Sequence, residues 1–332
     1  MRNLVKAEIL WSRKCPLSCH YCNMVQDKDN IVPIELWEEG FENLRALDVG
    51  FCAFYGAEPL MEFKNLPEII KYCEDIGILT TIITSGIVKN FHDKLKELYN
   101  NDLRSLSMSY DMVPLGSSSE AKGYQAIKGI EYFNTLGPNR DTAFISTLTR
   151  TNYTKVIETV KHLQNKYGSW FFFDIIHPDR GQDGSKCKGS SDELLFKETD
   201  LPGLHVMLTE LIKMKDNGFN CHSSKGFVDL LLNNDYELLK EYNWNCADDL
   251  NLFPSWVTVD CDGIVYPCDD FQPQFNKKFY VWNLYEEWEE FKEFWRPVVK
   301  AVCPGCAWNT HIDAHLIKGE SLPFSDYVHT KE

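Results

Sequence analysis

Lys6-Ala7-Glu8-Ile9-Leu10-Trp11-Ser12-Arg13-Lys14-Cys15-Pro16-Leu17-Ser18-Cys19-His20-Tyr21-Cys22 joins a largely apolar run to a loop carrying three cysteines. The run predicts a strand over 6–12. Three thiolates at this spacing can converge on one metal centre and leave a coordination position open. Such ligands suit zinc or an iron-sulfur cluster. A structural zinc site closes with four ligands, and His20 is the nearby candidate for the fourth. Its place between Cys19 and Cys22 makes binding alongside both neighbours awkward.

Outward from this stretch, apolar, β-branched or aromatic runs recur near 50–56, 79–84, 104–109, 141–148 and 170–176. Helical spacing fills 34–47, 63–76, 88–100, 118–135 and 154–167. In the last of these Val156, Ile157, Val160 and Leu163 return every three or four positions, with Asn152 or Thr154 as the expected N-cap. Alternating strands and helices imply a parallel sheet flanked by helices. Six units, rather than eight, make an open or partial barrel. Sites in such folds form at the C-terminal ends of the strands, where the cysteine loop falls. A polar, glycine-rich stretch over 178–200 predicts a long surface loop. Helices over 204–215 and 226–242, a hairpin over 255–268 around Asp262-Gly263, and a helix over 284–295 complete the expected order.

At 332 residues and 44% hydrophobic, the chain is long enough for one large core or a large and a small domain. Its 34 basic and 49 acidic residues give a net charge of −15, a surface that repels a phosphate backbone and disfavours nucleic acid as a partner. Neither a secretory signal nor an 18-residue apolar run is present, so a cytoplasmic protein without a membrane span is expected. Twelve cysteines in such a chain call for metal sites rather than disulfides. They crowd both ends, while Cys52 and Cys73 read as apolar packing residues.

Cys15-x3-Cys19-x2-Cys22 after a first strand, with Tyr21 before the last cysteine, resembles the cluster loop of radical S-adenosylmethionine (SAM) enzymes. Tyr55-Gly56-Ala57-Glu58-Pro59-Leu60 is similar to that family's Gly-Gly-Glu-Pro motif, in which the strand end binds the SAM amino group. Ala57 stands where the family has its second glycine, and Glu58 keeps the charge. Thr84-Ser85-Gly86 and Ser107-Met108-Ser109-Tyr110-Asp111 end the third and fourth strands, where the family holds the methionine carboxylate and ribose. The resemblance thus singles out Gly56, Ala57, Glu58, Ser85, Ser109 and Asp111 as cofactor-binding. Read singly, they are ordinary strand-end or capping residues. Arg150, after the fifth strand, is a weaker candidate for the carboxylate. The resemblance implies a partial (β/α)6 TIM-type barrel holding a [4Fe-4S] cluster and SAM, fed by a low-potential electron donor such as flavodoxin or ferredoxin. Reductive cleavage of SAM would give a 5′-deoxyadenosyl radical that abstracts hydrogen from substrate.

Cys246, Gly263-x4-Cys268 and Cys303-x2-Cys306 resemble the family's SPASM and twitch extensions. No cysteine follows Cys306, which implies one auxiliary [4Fe-4S] cluster on Cys246, Cys268, Cys303 and Cys306, with Cys261 as a substitute for Cys246. A zinc ribbon is the alternative. The expected division is a barrel over 1–225 and a small α+β auxiliary domain over 226–332. His177 is a candidate proton acceptor and Cys187 a candidate hydrogen-atom donor, against plainer readings as a loop histidine and a surface thiol. The first strand begins almost at Met1, leaving no room for the N-terminal peptide-binding domain that peptide-modifying members often carry. The expected substrate is therefore a small polar metabolite, oxidised, epimerised or rearranged. A peptide maturase and a non-catalytic zinc-binding interaction protein are the alternatives.

Overall fold

The computed structural model describes residues 3–19, 21–22, 24, 29–111, 117–138, 140–176, 193–221, 223–233, 245–248, 252–268, 277–303 and 309–318. Six strands, β1 (Lys6–Ser12), β2 (Phe51–Gly56), β3 (Leu79–Thr84), β4 (Ser105–Ser109), β5 (Asp141–Leu148) and β6 (Trp170–Ile175), pair in parallel with their sequence neighbours. The connections carry α1 (Ile34–Ala46), α2 (Leu66–Asp75), α3 (Phe91–Asn100), α4 (Ser117–Leu136) and α5 (Val156–Tyr167). After β6 come α6 (Leu201–Asp216) and α7 (Lys225–Asn233), then β7 (Trp256–Val259), β8 (Val265–Tyr266), α8 (Trp288–Val302) and α9 (Asn309–Lys318). The sheet order is β6-β5-β4-β3-β2-β1-β7-β8, so the described strands do not close on themselves. This is the partial (β/α)6 barrel that the alternation of strand and helix predicts.

The helix-facing side of the sheet is the main core. Trp11 of β1 meets Trp37 of α1 at 5.1 Å and Phe54 of β2 at 5.8 Å. Cys52 and Cys73 are fully buried here as small apolar groups, and burial raises both thiols. In α5, Val156, Val160 and Leu163 are buried, as their spacing predicts. Neither Asn152 nor Thr154 caps that helix. A 3-10 turn over Tyr153–Lys155 intervenes, and the Asn152 side chain accepts from the Thr149 amide (2.8 Å) and donates to the Thr147 carbonyl (2.9 Å), holding the β5 exit instead.

The last third is joined to the barrel rather than merely following it. β7 lies parallel to β1, Lys6 opposite Trp256, and β8 returns antiparallel around Gly263. Gly263 has φ +78°, and a Cβ there would meet the Trp282 ring at 2.2 Å. Asn43 of α1 donates to the Trp282 carbonyl (3.1 Å) and accepts from the Tyr285 amide (2.9 Å). That clasp holds residues 281–285 in turns, so α8 starts at Trp288 rather than at the expected Leu284. It continues past Pro297 to Val302 because Trp288, Phe291, Trp295 and Val299 form one buried stripe. The sheet is thus continuous across the expected 225/226 division. Beyond Asn233 the expected 226–242 helix lies outside the described residues.

Candidate functional site

The end of β1 is pinned on both sides before the cysteine loop begins. The Ala57 amide donates to the Ser12 carbonyl at 3.0 Å, across a register shift between Leu10 and Ser12. Gly56, at φ +138°, permits this approach: a Cβ there would lie 2.3 Å from the Ser12 oxygen. On the other side, Arg13 donates through Nε to Asp260 Oδ1 (2.9 Å) and through a terminal nitrogen to Oδ2, both side chains being buried. Asp260 immediately follows β7, so β2 and β7 together fix where the loop emerges.

Within the loop the Leu17 amide donates to Cys15 Sγ at 3.4 Å, and the Cys22 amide donates to the Cys19 carbonyl at 3.0 Å. Cys15 and Cys19 are half-buried and Cys22 is exposed. Burial, with smaller contributions from Glu58, Cys19 and Cys22, pushes the Cys15 thiol up to about 11. Burial also raises Cys19, against the lowering effect of Lys122. A metal centre that takes these thiols as thiolates therefore displaces protons. Among the described residues no three His, Cys, Asp or Glu side chains are grouped for a single ion. The donor set of soft sulfurs, with an amide already directed at Cys15, fits an iron-sulfur cluster, in which each thiolate meets its own iron.

Glu58 plays a different part from the one its charge suggests. It is fully buried; Oε1 accepts from the Leu60 amide (3.2 Å) and Thr84 hydroxyl (2.6 Å), and Oε2 from the Ser85 amide (2.9 Å) and hydroxyl (2.6 Å). These four bonds fill its acceptor sites, so it locks the β2 end to the β3 end and has no site left for a ligand ammonium. Burial raises its pKa against those bonds. The Ser85 hydroxyl is occupied in the same clamp.

Asp111 is also engaged. Its Oδ1 accepts from the Tyr21 hydroxyl (2.8 Å) and its Oδ2 from Lys122 Nζ (2.7 Å), which also reaches the Tyr21 oxygen at 2.6 Å and Cys19 Sγ at 4.0 Å. Burial lowers the Lys122 pKa, but Tyr21 and Asp111 outweigh it and the ammonium is held protonated. Ser109, half-buried, keeps its hydroxyl without a partner among the described residues. Arg150 is taken up by Asp200 at 3.2 Å.

Phe54, Ile82, Met108, Leu148 and Phe173 belong to the core. Period-2 alternation turns Tyr55, Ile83, Ser109, Thr147 and Asp174 to the inner face near the strand ends, all half-buried. The cysteine loop, the β2–β3 clamp and this inner face therefore share one end of the sheet.

The sequence model of the Radical SAM superfamily matches residues 9–114, which contain the loop, the clamp and the Tyr21–Asp111 contact. Over that stretch, about a third of its length, the chain is similar to the radical SAM superfamily. It is 28% identical over 117 residues to the PqqA peptide cyclase of Bradyrhizobium diazoefficiens, covering 34% of this chain and 30% of that protein. The PqqA peptide cyclase of Methylocella silvestris is 27% identical over 117 residues, with 34% and 31% covered. The chain thus spans about a third of the length of these curated relatives. In fold it is similar to Streptococcus suis SuiB, with TM-score 0.66 and 18% identity over 91% of this chain and 73% of that one. It is also similar to anSMEcpe with bound AdoMet, with TM-score 0.59 and 16% identity over 97% and 96%. A [4Fe-4S] cluster and SAM are the radical SAM cofactors.

The C-terminal cysteines are only partly within the described residues. The Cys246 thiol, raised to about 12 by burial first, lies in the field of Cys303. Asn245 donates to the Cys303 carbonyl at 3.4 Å. Cys268 follows β8, half-buried. The charges around Cys261 are instead Asp260, Arg13 and Asp262, which puts it near the β1 exit rather than in the field that Cys246 shares. His20, His177, Cys187 and Cys306 lie outside the described residues. No described helix is long and apolar enough to cross a membrane.

Sequence reasoning missed Arg13, Lys122 and Asp260. Lys122 had a signal: it stands four and eight positions before Ala126 and Ile130, on the buried stripe of α4, where a lysine needs a partner.

Proposed function

We propose that this radical SAM enzyme modifies a side chain of a peptide, with Cys15, Cys19 and Cys22 holding the cluster that binds SAM. The observation that carries the reading is the gathering of those cysteines, the Gly56–Ala57 strand end and an inner face of mixed polarity at one end of the sheet. The expectation of a small polar metabolite gives way because the curated relatives are named peptide cyclases.

When bound, the cluster and SAM supply one-electron cleavage of a sulfur–carbon bond and, with it, hydrogen-atom abstraction. The protein's own part is placement and exclusion of water. The backbone of Gly56 and Ala57 and the hydroxyl of Ser109 are the groups we assign to SAM. Glu58, Ser85 and Asp111 hold those groups in place through the clamp and the Tyr21–Lys122 contact. Tyr55, Ile83, Thr147 and Asp174 face the substrate. In the region after residue 225 we assign an auxiliary [4Fe-4S] cluster to Cys246, Cys268, Cys303 and Cys306. With four protein ligands it would pass electrons rather than bind substrate.

The test is anaerobic incubation of the full chain with SAM, a strong reductant and candidate precursor peptides, followed by mass spectrometry. Release of 5′-deoxyadenosine coupled to a mass change in a peptide is expected. Turnover coupled to a small metabolite, with every peptide unchanged, would overturn the peptide assignment.

A further inference from the structure

An ammonium group has three donors, and Lys122 has three acceptors: Asp111 Oδ2 at 2.7 Å, the Tyr21 hydroxyl oxygen at 2.6 Å and Cys19 Sγ at 4.0 Å. The lysine and the aspartate are buried, their side chains 5% and 2% exposed. The ammonium also lies over the Tyr21 ring, 5.2 Å from its centroid. These contacts tie α4 and the exit of β4 to the cysteine loop. A buried lysine costs solvation that an apolar residue at the same stripe position would avoid. Asp111 offsets part of that cost, but an aspartate–lysine pair alone would leave two donors without a use, and the Tyr21 oxygen takes only one of them. The third donor is directed at a thiol.

We propose that Lys122 is a positioning residue that sets the reduction potential of the cluster on the cysteine loop, by directing an N–H and a positive charge at the sulfur of Cys19. This rests on Cys19 being a cluster ligand. Hydrogen bonds to the ligand sulfurs and local net charge are among the determinants of an iron-sulfur potential. Reduction adds one negative charge to the cluster, so a donor and cation beside the sulfur stabilise the reduced state and raise the potential. Asp111 opposes the charge and at the same time fixes the direction of the ammonium. Tyr21 completes the triangle and ties the loop's last turn to it.

The experiment is an anaerobic redox titration of the full chain, followed by EPR, in Lys122→Met and Asp111→Asn. The signal of interest is the one removed by Cys19→Ala; if Cys19→Ala leaves the iron content and every EPR signal unchanged, the ligand assignment itself falls. Lys122→Met should lower the midpoint by a tenfold change in the reduction equilibrium, about 59 mV for a one-electron couple. Asp111→Asn, which removes the opposing charge, should move it the other way. A Lys122→Met protein with less cluster or a lower melting temperature but an unchanged midpoint would show a purely structural lysine and overturn the proposal. Should the variants fail to assemble, unsubstituted protein labelled with 15N-lysine decides the matter. Pulsed EPR of the reduced cluster should then show a 15N coupling, and its absence overturns the N–H···S contact.

Discussion

The two cysteine-bearing regions are built on opposite plans. At the cysteine loop, three thiols from eight consecutive residues hang on a strand end fixed by Ala57 on one side and Asp260 on the other. In the last third, Cys246, Cys268 and Cys303 come from three separate segments, and among the described residues the first is tied to the last by side chains: Asn245 to the Cys303 carbonyl, Arg296 to the Ala247 carbonyl and Lys300 to Asp248. The first plan puts the cost of organisation into the sheet, whose strand pairing exists whether or not a cluster is bound. The second leaves the cysteines to be gathered by the fold around them, with β7, β8 and the Asn43 clasp as the supports. The loop should therefore survive loss of its cluster as a shaped site, while the C-terminal region should depend on its metal for order.

Substitutions can break this contrast. Cys15→Ala should abolish 5′-deoxyadenosine release and reduce iron from about eight to about four atoms per chain, with the fold intact by circular dichroism. Cys246→Ala should remove a similar share of iron, keep SAM cleavage measurable, and increase protease cutting after residue 225. Equal proteolytic sensitivity in the two variants would erase the contrast. Arg13→Met leaves the buried Asp260 carboxylate without its ion partner and should destabilise the chain by about 3–5 kcal/mol in denaturant unfolding, whether or not iron is present. Glu58→Gln places an amide against donors and should cost about 1–3 kcal/mol, with weaker SAM binding by calorimetry as a consequence of the loosened strand ends. Asn245→Ala should have the smallest effect, about 1 kcal/mol, read as faster iron loss to a chelator from the C-terminal region alone.

Strand and helix positions over 6–175 were legible because each element carries its own period and its own burial. The strand runs agree with the structure to within about a residue, since a parallel strand's alternation and length are local properties. Glu58 was legible as a residue and misread in role. Its chemistry suits an ammonium, but Thr84 and Ser85, on the next strand's end, take three of its four acceptor sites and the Leu60 amide takes the fourth. The start of α8 was misread because the period of apolar residues from Leu284 continues into a turn that Asn43, 242 residues away from Tyr285, holds by its side chain.

By itself the sequence determined the three-thiol loop, the strand-helix alternation and the buried stripe of α5, because spacing along the chain is enough to define them. Tertiary structure alone decided that β7 joins β1, that Arg13 meets Asp260 across 247 residues, and that Lys122, Asp111 and Tyr21 close on Cys19. Those contacts depend on strand order and on the need of buried charges for partners. Neither is encoded in any local period.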